Sequence, residues 1–531
     1  MRASDLLVRC LEAEGVERIF GIPGEENLDV MDSLKDSSIE FVLTRNENSA
    51  AFIAIACGRL TGRPHVCLST LGPGATNMVT GVAEAFLSYV PLVAITGQVG
   101  ADQAFAPRKQ YLDLVQLYRP VTKESFSVRS PLRIPAQVRR AFHVASMEKP
   151  GPVLMELPED VMKMQAEGRP LKMGATHHIG CDPSSVRKVM SMLQEARRPM
   201  VLAGPGVIRA KATEELRAFS RAWGIPVAHT WHGSGIMPYD DDLSLNTVGL
   251  RTKDTVRQLF EEMDTVVLIG YDLPEFLPVF WNIGGSKQIV VIDPAPTDAV
   301  PHLDVDVQLV GQIGEVLSKL TTGAARKANW AAGHRESLDQ CLNGCPPDTT
   351  PVRPQLAVKA IRGALGREDI CACDVGAHLI WMAKMYPVYK ENTLLLSNGL
   401  IPMGIGVPTA IGAKLVQPER KVVAVCGDGG FMMTAADLET AKRLGTNFAT
   451  VIFNDSGLGL IKYKHRKAYG RYHGADFGNP DFVKFAESFG AKGYRVSTAR
   501  ELGQVLTSSL EDEELAVIDV PIDYSENTNL L

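Results

Sequence analysis

Paired cysteines are missing from this chain. Its nine cysteines are scattered, an odd count with no CxxC and no histidine grouped beside them. That excludes a disulfide framework and a cysteine-ligated zinc site. Cys371 and Cys373, two apart in an apolar stretch, are expected as small buried thiols on one face of a strand. Long apolar runs are missing too, since none reaches the roughly 18 residues that span a bilayer. The opening segment, MRASDLLVRCLEAEGVERIFG, carries charge throughout its apolar pattern, so it reads as an amphipathic helix and not as a signal peptide. Nor is there an excess of positive charge. The formal net charge is −6, and no Lys/Arg stripe is dense enough for a nucleic-acid face. The densest basic run, Lys462 to Lys467, reads as a solvated helix face, with substrate steering as the alternative. A complete GxGxxG with its following acid is also absent. Gly204-Pro205-Gly206 is therefore expected to be a structural turn and not a dinucleotide site. These absences leave a soluble protein of a reducing compartment, the cytoplasm, with neither a membrane nor a nucleic acid as partner.

What is present is a regular alternation of helical and strand patterns. Short apolar runs such as Arg18–Gly21, Glu40–Leu43, His65–Ser69 and Leu92–Gly97 are separated by helical stretches, among them Leu6–Glu14 and Ser49–Leu60. Continuous Val/Ile/Leu runs between helices are what a parallel sheet covered on both faces requires. The fold class is therefore α/β. With 531 residues the chain is too long for one core. Pro- and polar-rich breaks near 162–182 and 345–351 divide it into units at 1–165, 184–325 and 350–531, each expected to be a doubly wound parallel sheet.

The strongest chemical signal is in the third unit. A buried strand, Lys421 to Cys426, ends in Gly427-Asp428-Gly429-Gly430, and a helical pattern is expected from Ala435. Glycines let the backbone approach an anion, and a helix N-terminus favours phosphate. An aspartate inside such a loop repels phosphate unless a cation stands between them. Mg²⁺ holding a diphosphate is the natural species, because it takes octahedral oxygen ligands. The next strand, Ala449–Phe453, ends in Asn454-Asp455-Ser456-Gly457. One helix and one strand separate the two acids, which places both at the C-terminal edge of neighbouring parallel strands, where such sheets bind ligands.

These residues resemble the thiamine-diphosphate motif, Gly-Asp-Gly followed by Asn-Asn or Asn-Asp after the next strand. The resemblance covers almost the whole chain. Arg45-Asn46-Glu47 with Ala50-Ala51-Phe52 is similar to the family's Arg-His-Glu-x-x-Ala-Ala-Phe, and Gly72-Pro73-Gly74 with Asn77 to its Gly-Pro-Gly turn. Ser397-Asn398-Gly399 and Met403-Gly404 match the strip beneath the cofactor. Gly270-Tyr271-Asp272, Trp281-Asn282 and Pro521-Ile522-Asp523-Tyr524 point to the acetolactate synthases, in particular the flavin-independent, catabolic kind. The resemblance implies pyrimidine-binding, central and diphosphate-binding domains, in that order. It implies thiamine diphosphate and Mg²⁺ as cofactors, no FAD, a small 2-oxo acid such as pyruvate as substrate, and a homodimer or homotetramer. Glu47 would hydrogen-bond the pyrimidine ring across a subunit interface and drive its tautomerisation. Asp428, Asp455 and the Gly457 carbonyl would ligate Mg²⁺. Gly376, Ala377 and His378, with Gly427, Gly429, Gly430 and Leu458, would contact the cofactor, and Met403 would wedge beneath it.

Three places depart from the relatives. Asn46 stands where they carry His, Lys109 replaces the His of Ser-His-Gln, and around Gly457 Leu458 replaces Tyr and Ser456 replaces Asn. Gln110 survives to orient an acceptor carbonyl. Lys109 brings fixed positive charge suited to an acidic substrate group, or is a solvated loop residue. A plain 2-oxo acid decarboxylase or an acyl transferase differs only in the acceptor. A non-catalytic binding subunit is opposed by intact Glu47, Asp428 and Asp455.

Overall fold

The computed structural model describes residues 1–104, 108–172, 180–249, 256–344 and 347–529. Three six-stranded sheets follow one another along the chain. The first is built from β1 (Arg18–Gly21), β2 (Glu40–Leu43), β3 (His65–Ser69), β4 (Leu92–Gln98), β5 (Glu124–Ser127) and β6 (Pro152–Pro158). The second comprises β7 (Pro199–Ala203), β8 (Val227–His229), β9 (Ser244–Thr247), β10 (Thr265–Ile269), β11 (Gln288–Asp293) and β12 (Val307–Val310). The third takes β13 (Ile370–Cys373), β14 (Leu394–Leu395), β15 (Val422–Gly427), β16 (Ala449–Asn454), β17 (Lys492–Arg495) and β18 (Ala516–Pro521). Every pairing along the active edge of the third sheet is parallel, with Val425 opposite Cys373 on one side and Val451 on the other. The expected α/β class holds. Strand interiors such as β4, β6 and β15 are buried residue after residue, as helices on both faces demand.

The strand orders are β2-β1-β3-β4-β6-β5, β12-β11-β10-β7-β8-β9 and β14-β13-β15-β16-β18-β17. The first and third sheets are thus wound the same way. The helix after the second strand of each, Glu47–Thr61 and Gly406–Val416, packs against its counterpart. Close approach is possible because Gly412 has no side chain; a Cβ there would stand 2.8 Å from both Ala56 Cβ and the Ile53 carbonyl. One apolar core runs through both units, from Phe20 and Ile53 to Ile411 and Phe431.

The helices differ from the sequence expectation at three places, the first of which, expected from Leu6, begins at Ala3. The helix expected from Ser49 begins at Glu47, because the Asn46 side chain caps it by accepting the Asn48 amide at 2.8 Å. Helical structure begins at Ala435 as expected and continues through Leu438–Leu444, but a further helix, Asp428–Thr434, precedes it, so the diglycine lies in a first turn and not in a loop. Gly430 is needed there because a Cβ would meet the Asp374 carboxylate at 3.0 Å. The Gly204-Pro205-Gly206 turn is closed by protein backbone, with the Gly206 amide donating to the Gly270 carbonyl at 2.9 Å. Residues 173–179 of the first break, and Cys345 and Pro346 of the second, lie outside the described residues. Among the described residues no helix is long and apolar enough to cross a membrane.

Candidate active site

β13, β15 and β16 are neighbours, and the chain reverses its winding direction between β13 and β15. That is where open α/β sheets bind ligands. Three turns meet at this edge. The first follows β13 and carries Asp374, Gly376, Ala377 and His378. His378 is 2% exposed, its ring lies against Gly427 and Gly376, and its Nε2 is buried without a hydrogen-bond partner. The second is Gly427 to Gly430, and the third is Asp455 to Leu458.

Asp428 is 1% exposed. One of its oxygens accepts the Gly429 amide at 2.8 Å and the other accepts Asn479 Nδ2 at 2.8 Å. Burial raises its pKa, while Asn479 and the amides of Gly429, Ser456 and Gly457 oppose the rise. The turn after β16 is therefore folded onto Asp428. Burial, and next the negative charge of Asp428, push Asp455 up to about 6, against the pull of Lys462. Lys462 Nζ sits 3.7 Å from Asp455 Oδ2 and 2.9 Å from Asp476. Two carboxylates brought together against their charge make a place for a cation. No group of three or more His, Cys, Asp or Glu among the described residues could hold a metal alone. A cation here must draw its other ligands from carbonyls, water or a bound phosphate. The orphaned His378 nitrogen and the glycine-lined turns fit a diphosphate at the same edge.

Met403 Cε and Leu458 Cδ2 stand 3.5 and 3.4 Å from where a Cβ on Gly429 would be. Both therefore belong to this group. The loop bearing Met403 is held on two sides. Asp374 accepts the Gly404 and Gly406 amides at 2.9 and 3.2 Å, and Glu84, from the first unit, accepts those of Leu400 and Ile401 at 2.9 and 3.3 Å. Ile401 has φ +61°, a left-handed backbone that a β-branched residue tolerates only under such constraint. Ser456 and Gln110 share the trait, at φ +52° and +65°.

Glu47, Lys109 and Gln110 lie in the first unit, apart from this group. Glu47 is 7% exposed and accepts Asn77 Nδ2 at 3.1 Å. The Gln110 backbone packs on Gly72, itself at φ +53°, where a Cβ would stand 2.8 Å from the Gln110 carbonyl. Lys109 and Gln110 are exposed. Sequence reasoning missed Asn479, Asp374 and Glu84, and read Lys462 as part of a basic helix face without its link to Asp455. The Gly478-Asn479-Pro480-Asp481 turn signal marks the first of these as a loop residue but says nothing of what it reaches.

Residues 1–117 match the thiamine pyrophosphate enzyme N-terminal TPP binding domain, 186–320 the central domain, and 374–520 the C-terminal TPP binding domain. The chain is 36% identical to acetolactate synthase of Bacillus subtilis (strain 168), covering 100% of this chain and 94% of that protein. It is 34% identical to the catabolic acetolactate synthase of Raoultella terrigena, over 99% and 96% of the two chains. A probable acetolactate synthase large subunit of Methanocaldococcus jannaschii is 33% identical over 99% and 93%. Matched in this way from end to end, the chain belongs to the acetolactate synthase-like family of thiamine-diphosphate-dependent enzymes.

Proposed function

We propose that this protein decarboxylates pyruvate and joins the two-carbon fragment to a second carbonyl, giving 2-acetolactate when that carbonyl is another pyruvate. The observation that carries the reading is the pair Asp428 and Asp455 at adjacent strand ends beside a glycine-lined turn. Asp428, Asp455 and the Gly457 carbonyl would hold Mg²⁺, which would supply positive charge to a diphosphate. Gly376, Ala377, His378, Gly427, Gly429, Gly430 and Leu458 would contact that diphosphate, and Met403 would support the cofactor. Thiamine diphosphate, when bound, supplies the nucleophilic carbon and the electron sink. Glu47 would share a hydrogen bond with a ring nitrogen of the pyrimidine, a contact that strengthens as that nitrogen is protonated and the ring gains positive character. Gln110 donates to the acceptor carbonyl and Lys109 faces the acceptor's charge.

Several parts of the reading rest on the family. Glu47 serves the diphosphate site of a partner subunit, so the enzyme is a homodimer or homotetramer. It works in the cytoplasm, without flavin. The domains divide at 1–165, 184–325 and 350–531. A mass-spectrometric screen of 2-oxo acids incubated with the protein, thiamine diphosphate and Mg²⁺ tests the activity. Acetolactate from pyruvate supports the reading, and free acetaldehyde as the sole product replaces it with simple decarboxylation.

A further inference from the structure

A cavity of about 910 Å³ opens beside Asp455, bounded by the helix Gly459–Tyr469 and by Asp523, Tyr524, Ser525 and Asn527. None of that helix's residues is buried. Its sequence, GLIKYKHRKAY, holds four Lys or Arg and no Asp or Glu, in a chain whose net charge is −6. A merely solvated face would mix both signs, since like charges one turn apart weaken a helix. Lys462, Arg466 and Lys467 line the cavity, and the acids facing it are Asp455 and Asp523. Lys462 is already engaged by Asp455 and Asp476. Arg466 is held differently. Its guanidinium lies over the Tyr472 ring, 4.4 Å from the centroid, and it forms no ion pair among the described residues. Stacking on an aromatic face fixes the guanidinium plane while leaving its in-plane N–H donors available to an anion.

We infer that this cavity receives the distal anionic group, a carboxylate or phosphonate, of an acceptor that carries one besides its reacting carbonyl, with Arg466 as the recognising residue. The inference rests on the carboligase reading above and adds no bond chemistry to it. One donor C–C bond breaks and releases CO₂, one C–C bond forms to the acceptor carbonyl carbon, and that carbonyl oxygen takes up one proton.

The test gives the protein, loaded with thiamine diphosphate and Mg²⁺, pyruvate as donor. The acceptor is 4-oxobutanoate, 3-oxopropylphosphonate or neutral pentanal. The expected result is a kcat/KM preference of about tenfold or more for an anionic acceptor over pentanal, the scale of a charged hydrogen bond. Arg466→Met should remove most of that preference and Arg466→Lys should restore part of it. Whichever anion is preferred identifies the group. Independently of turnover, calorimetric titration with glutarate, an unreactive dianion, should show weaker binding to Arg466→Met than to wild type. The inference is overturned if CO₂ is released from pyruvate but pentanal is used as well as the anions. It is equally overturned if Arg466→Met changes neither the preference nor glutarate binding. Failure of the carboligase reading looks different: no 2-oxo acid yields CO₂, whatever residue stands at position 466.

Discussion

Glu47 opens its helix and is almost wholly buried, with the Asn77 amide as its hydrogen-bond donor. A buried carboxylate with one neutral partner is poorly satisfied for structural purposes alone, which suits a group waiting for a heterocycle. Glu47→Gln keeps the shape and removes the charge. We expect cofactor affinity to hold while proton exchange at the thiazolium carbon, followed by NMR, slows by about 10² or more; unchanged exchange would make Glu47 a structural residue. At this scale the sequence was legible where a residue type is tied to one chemistry. Asp428 and Asp455 stand together because each ends a strand, and strand ends can be counted. Asn479 was not legible: it bridges Asp428 Oδ2 at 2.8 Å and Asn454 Oδ1 at 3.1 Å from a distant loop, and no local pattern encodes that reach. Asn46 looked like a lost imidazole and proves to be a helix cap.

Elements carry the site's precision. The loop from Ile401 to Gly406 has little structure of its own and is shaped by Asp374 and Glu84. Asp374 also accepts the Val375 amide at 2.6 Å, and burial pushes it up to about 6 against these bonds. Asp374→Ala leaves three amides without their acceptor, so a loss of roughly 2 to 3 kcal/mol is expected in urea denaturation; a loss below about 0.5 kcal/mol would show the loop to be self-supporting. A second element gives a pH dependence. His229 ends β8, fully buried with Nδ1 3.1 Å from the Thr230 carbonyl, and burial lowers its pKa to about 4. The folded protein therefore binds fewer protons than the unfolded chain between about 4 and the ordinary histidine value near 6.5. The stability His229 allows is full above that range and is lost as pH falls through it. Asp293, raised to about 6 by burial, acts in the opposite sense, so the comparison must be between proteins. His229→Gln should lose less stability than wild type between pH 6.5 and pH 4, and parallel curves would contradict the assignment. Strands that are apolar runs, such as β1 to β4, were legible to within a residue because such runs are local, whereas β5, β9 and β17 lack one and were not read. The additional helix Asp428–Thr434 was not, because Gly429 and Gly430 argue locally for a loop while close packing against Asp374 decides for a helix.

The whole molecule repeats one winding order in its first and third sheets, and equivalent helices of the two units face each other across small residues. No sequence pattern announced this repeat, since strand order is set by which sheet edge each helix covers. Glu47 makes its hydrogen bond inside the first unit while the diacid edge belongs to the third. If a partner subunit brings the two together, activity requires association. Sedimentation combined with assay across dilution should then show activity falling as dimers dissociate, whereas an active monomer would overturn that arrangement. We propose that Asp428 and Asp455 hold the cofactor through a divalent metal. The most direct test is CO₂ release from pyruvate by metal-stripped protein titrated with thiamine diphosphate, once with Mg²⁺ and once with EDTA. Release should saturate with cofactor only when Mg²⁺ is present; equal release in EDTA would show that the two acids hold no such metal.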